Sequence, residues 1–287
     1  MFLEQIHETS KFNINNLKER NSARTSTAGQ LLYDVAISTL KEAAIAAAMS
    51  TITCLFVATN GIPLLITTTI AFVALNAIIR SVRAILLYKL HQLEQNYPTD
   101  DSSIYFYKNA IELTEWLCPF NFGVFHMLTT GIVIHEAGHA IAALLVFQRS
   151  NPVIEVIPGV GGVTRIMQGP LTKLGSWLGA NNSYIFVVAA GPALAIISST
   201  ALIIFSHLLQ TDHPEASKIL LGASLINIGS HIIYAISALW ETRMNSGHDF
   251  MQLWAIANIH PVVSAIALVV LPIFAKLVLV SVDALSG

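Results

Sequence analysis

The stretch IVIHEAGHAIAALL, residues 132–145, places His135, Glu136 and His139 in a run that is otherwise apolar. On a helix, positions i and i+4 share one face, so the imidazoles of His135 and His139 can reach one ion. Neutral imidazole suits Zn²⁺, and a site with three protein ligands keeps a fourth position open for water. Glu136 stands beside the pair, placed to hold that water and take its proton as it attacks a carbonyl. Unpaired ionisable groups at the centre of a membrane span cost about 2.5–3.5 kcal/mol each and mark functional sites by default. The spacing therefore predicts a metal site. Ala137, Gly138, Ala140, Ala142 and Ala143 are small enough to let neighbouring helices approach it.

Such a helix needs a bilayer around it, and the composition supplies one. Charged residues make up 11% of the 287, and mean hydropathy is +0.64. Soluble domains carry about 25% charged residues. A net charge of −2 gives no reason to invoke nucleic acid. Cys54 and Cys118 lie in or beside apolar stretches without metal or disulfide spacing, and read as free thiols. Apolar runs at about 43–59, 62–79, 122–147, 184–208, 218–240 and 261–282 predict six spans. The expectation is an all-α multi-pass integral membrane protein with no cleaved leader, in a bacterial inner or cell membrane. Four regions follow: a polar arm at 1–34, a transmembrane hairpin with a polar connector at 35–121, a core at 122–260, and a last span within 261–287. Lys108, Glu112 and Glu115 favour an interfacial helix over 104–121. The Lys/Arg bias places the arm and the 80–103 loop on the cytoplasmic side. Residues 153–166, VIEVIPGVGGVTRI, are β-branched and broken by Gly159, Gly161 and Gly162, which predicts a short β-hairpin after the motif helix.

Two histidines do not close a catalytic zinc site. The chain has aspartates at 34, 100, 101, 212, 249 and 283, and Asp249 alone lies between apolar spans beyond the motif, away from the loop around Asp212. Its setting, NSGHDF, breaks one helix and starts another. A carboxylate on unwound backbone inside a membrane must face protein or a polar cavity. Asp249 would equally serve as the cap of the helix that follows. Glu241, His231, His248 and His260 compete for the ligand role. For the histidines a satisfied polar contact is the simpler reading.

Three features, in order, resemble the site-2 protease family of M50-type intramembrane zinc metalloproteases. They are HEAGH within a span, a Gly-rich β-like stretch followed by a span carrying AAGPALA (189–195), and the distal Asp in a helix–break–helix setting. The likeness covers about residues 120–260. It implies one Zn²⁺ held by His135, His139 and Asp249, with Glu136 as general base. His248, Asn245, Gly191 and Pro192 would surround the site, supporting ligands or substrate. The family's distal motif usually reads Asn-Pro-…-Leu-Asp-Gly, and this chain has neither that proline nor a glycine after Asp249, so it resembles a divergent branch. The implied activity is hydrolysis of peptide bonds in membrane-anchored protein or peptide substrates. A homo-oligomer or a regulatory membrane partner stays open. An exposed edge of the 153–166 hairpin would hold the substrate extended, and proline at Ile154 or Val163 would test that. Two alternatives stand beside this reading. One is a non-proteolytic metal-binding membrane protein or transporter. The other is a membrane gluzincin of the CAAX-protease kind, with Glu241 as third ligand.

Overall fold

The computed structural model describes residues 28–57, 61–96, 101–241 and 247–286. It is an all-α bundle with a two-stranded antiparallel sheet, the fold class the sequence predicts. Six of its helical stretches are long and apolar enough to cross a membrane. Helix α1 (Ala28–Cys54) and helix α2 (Ile62–Asn96) form the hairpin, α1 starting within the stretch read as a polar arm and α2 running on through the polar segment after Ile79. Ser50 and Thr69 hydrogen-bond across them at 2.7 Å. The outward face of α2 carries Ile66, Ile70 and Ile78, all more than half exposed, which fits a lipid-facing surface.

Helix α3 (Asp101–His126) is where the structure departs most from the sequence reading. The stretch read as an interfacial helix runs through a π-helical turn, Met127–Gly131, into helix α4 (Ile132–Val146), which holds the motif. The candidate span is a single run, Ser102–Val146. The turn has a local use. Leu128 offers its carbonyl to the amide of Gly159 at 3.2 Å, docking the β-hairpin on this helix.

Strands β1 (Val153–Ile157) and β2 (Gly161–Arg165) pair with Ile154 opposite Thr164 and Val156 opposite Gly162. Gly159 takes φ of +76° in the connecting turn, a conformation that favours glycine. The Val156 amide donates to Phe56 at 2.9 Å, so β1 is bridged on its outer side to the end of the α1 segment. Helix α5 (Lys173–Leu178), helix α6 (Ala180–Leu208), helix α7 (Pro214–Ser237), helix α8 (Asp249–Ala257) and helix α9 (Pro261–Ser286) complete the fold. Close approach of α4 to α6 depends on Gly138, where a Cβ would stand 2.2 Å from the carbonyl oxygen of Ala190. A core of Val188, Ile196, Ile228, Phe250, Leu253 and Leu268 joins α6, α7, α8 and α9.

Candidate metal centre

His135, Glu136 and His139 are buried on α4, and their ligand atoms lie within 4.8 Å of one another, a group that can hold a metal ion. The two Nε2 atoms are 3.2 Å apart. Asp249 meets both: Oδ2 lies 2.8 Å from His135 Nε2, and Oδ1 lies 3.4 Å from His139 Nε2. Four ligand atoms around a tetrahedral zinc, each about 2.0–2.1 Å from it, stand about 3.3 Å apart. The two Nε2 atoms have that spacing, and the Asp249 carboxylate closes on them with one oxygen toward each.

Their hydrogen-bonding roles follow from backbone carbonyls, which only accept. His139 Nδ1 is 2.8 Å from the Val187 carbonyl and must carry the hydrogen, leaving the lone pair on Nε2 in the neutral ring. His231 Nδ1 is 2.9 Å from the Asn227 carbonyl, so it donates there and its Nε2 is an acceptor. That Nε2 is 3.1 Å from His135 Nδ1, which must then be the donor. His135 is left, like His139, with its lone pair on Nε2. Two lone pairs and a carboxylate thus face one another, an arrangement that can hold a cation between them.

Asp249 is the first residue of α8, yet its side chain does not cap that helix. Its position is set from α7: the Asp249 amide donates to the Tyr234 hydroxyl at 3.1 Å, and that hydroxyl donates to the Gly247 carbonyl at 3.2 Å. His248 stacks on the Tyr234 ring at 4.3 Å and meets Ser237 Oγ at 3.1 Å, so it supports the break and not the ion. Gly191 lies against the centre itself; a Cβ there would stand 2.3 Å from His139 Nε2 and 2.9 Å from His135 Nε2. Pro192 is buried inside α6. Asn245 lies outside the described residues. Glu241 and His260 are exposed, and neither lines the cavity that holds the site.

Glu136 faces the hairpin. Thr164 Oγ1 lies 2.7 Å from Glu136 Oε2 and 2.9 Å from the Glu136 carbonyl. A Cβ on Gly162 would come within 2.5 Å of Glu136 Cγ, so the glycine leaves the carboxylate its place. Around these groups is a cavity of about 640 Å³, lined by the metal-site residues, Gly162, Thr164 and the polar face of α7.

Sequence reasoning did not find Thr164, Gly162 or Tyr234. The last had a signal: Asn227, Ser230, His231 and Tyr234 fall at i, i+3, i+4 and i+7, a polar stripe on an apolar helix. The strand-edge expectation also needs correcting at two residues. The Val156 amide points away from β2, so Val156 and Gly162 form a non-hydrogen-bonded pair, and by alternation so do Ile154 and Thr164. Gly162 and Thr164 therefore turn their amides to the outer edge of β2, whereas Val163 bonds within the hairpin and Ile154 faces the α1 side. Among the described residues no strand covers that outer edge. Comparison with family models, with curated proteins and with solved structures finds no match to this chain.

Proposed function

We propose that the chain is an intramembrane zinc metalloprotease of the site-2 protease kind, hydrolysing peptide bonds of membrane-anchored proteins. The observation that carries this is the set of three converging acceptors on His135, His139 and Asp249, with a fourth acceptor, Glu136, beside them but turned to a free strand edge. His135, His139 and Asp249 would hold the ion. When bound, zinc supplies a Lewis acid that brings the pKa of water down to about 7.

The chain's own residues do the rest. Glu136 takes the proton from the attacking water and passes it to the leaving amine. Thr164 holds the Glu136 carboxylate toward the cavity. The outer amides of Gly162 and Thr164 pair with a substrate segment as an added strand, which exposes carbonyls that an intact helix keeps in its own hydrogen bonds. Because the same two residues touch Glu136 and form that edge, the scissile bond is brought beside the base.

The gluzincin alternative is disfavoured by the exposed position of Glu241, which does not line the cavity that holds both histidines. The test is metal analysis of purified wild type and the Glu136→Gln variant, each co-expressed with a tagged membrane peptide. Zinc at one per chain in both, with cleavage only in the wild type, is the expected result. Wild-type protein without a stoichiometric metal, or a cleaving Gln variant, would overturn the proposal.

A further inference from the structure

His231 is buried in the middle of α7 and is not among the atoms that converge on the centre. Its Nε2 lies 3.1 Å from His135 Nδ1, on the far side of that ring from Asp249. Its own orientation is fixed from below by the Asn227 carbonyl at 2.9 Å. Asn227 is in turn tied to α6, its Nδ2 donating to Ser199 Oγ at 2.8 Å and to the Ala195 carbonyl at 3.3 Å. Ser224 Oγ adds a donor to the Ser199 carbonyl at 2.8 Å. The series runs from the α6–α7 contact to the motif helix through residues that are all buried.

We infer that His231 is the positioning residue that fixes the ring orientation and tautomer of His135 for metal binding. The inference rests on the metal-site reading above. A metal-bound imidazole needs its other nitrogen to donate, to a carboxylate, a carbonyl or water, and loss of that acceptor lowers metal affinity about 10–100-fold. His139 has a backbone carbonyl for this, from Val187. Among the described residues His135 Nδ1 has no such carbonyl and uses a second imidazole, locked as an acceptor because its own hydrogen is committed to Asn227. A neutral acceptor orients the ligand without adding a second anion beside Asp249. The two ligands on one helix are thus oriented from two different helices, His139 from α6 and His135 from α7. Metal affinity then depends on how α6 and α7 sit against α4.

The test compares zinc affinity, by competition with a chelator, in full-length wild type, His231→Gln and His231→Leu. Glutamine keeps an acceptor at the position of Nε2; leucine fills similar space without one. The expected result is a 10–100-fold weaker affinity in the Leu variant and recovery to within a few-fold of wild type in the Gln variant. A pure packing role would give the reverse order. The zinc-loaded wild type is also expected to show a hydrogen-bonded Nδ1 proton on His135 in its histidine ring ¹⁵N spectrum, a readout that holds even if the Leu variant does not fold. Equal affinity in wild type and Leu, or no such proton, overturns the role of His231 and leaves the metal site standing. Wild type that binds no zinc removes the metal site as well.

Discussion

Two clusters of ionisable groups in the described part of this apolar bundle are built on opposite logic. The first ties the outer helices together. Arg80 on α2 pairs with Glu42 on α1, and Glu115 on α3 receives Arg83 at 2.6 Å and Lys218 of α7 at 2.8 Å. Every acid there meets a base. The second cluster sets two imidazole lone pairs and a carboxylate against one another, with Glu136 as a fourth acceptor nearby. Burial penalises charge in both places. Only the first cluster offsets that penalty with its own opposite charges. The second has no base of its own and can hold a metal ion, and that separates a cluster that holds helices together from the one proposed to do chemistry.

The comparison can be broken most directly at the base. Glu136→Gln should retain zinc and lose cleavage by on the order of 10²–10⁴-fold, measured on a tagged membrane peptide. Next is the ligand that closes the centre. Asp249→Asn should weaken zinc binding by more than about 100-fold, beyond the loss expected of a supporting group, as read by chelator competition. Gly162→Ala should keep zinc but slow cleavage by roughly 10²-fold, because its methyl displaces Glu136 from the reaction geometry. Smallest in its effect on the site is Glu115→Gln. It should cost about 1.5–3 kcal/mol of stability, seen as a lower melting point in detergent, with zinc affinity unchanged. Loss of zinc in that variant would mean the two clusters are not independent.

The six spans were legible because each is a long apolar run with polar punctuation, and the hairpin because β-branched residues alternate around glycines. The pairing of His135 with His139 needed only helical geometry. Asp249 could be singled out by elimination, but its choice between cap and centre could not, since both fit the same position in sequence. The structure brings its carboxylate to the histidines. What stayed hidden was contact between distant segments. Thr164 meets Glu136 only because β1 is anchored to Phe56 and the hairpin turn to Leu128. The unbroken passage from α3 to α4 was obscured by Lys108, Glu112 and Glu115, which look interfacial until Glu115 is seen paired with Arg83 and Lys218. Strand parity was hidden too, since which amides face outward depends on the Val156 bond to Phe56.

The wide turn at Met127–Gly131 closes its hydrogen-bonded loop with one residue more than a regular helical turn does. Each residue of a regular helix advances the wheel by about 100°, so that surplus residue is absorbed without swinging either flank off its face. Deleting one residue there would return the run to regular α-helix and keep both imidazoles aimed at Asp249. It would also withdraw the carbonyl that latches the hairpin. If the proposed function holds, a chain shortened by that one residue should still load its ion yet present no platform for a peptide, which would separate ion capture from scission by a single deletion.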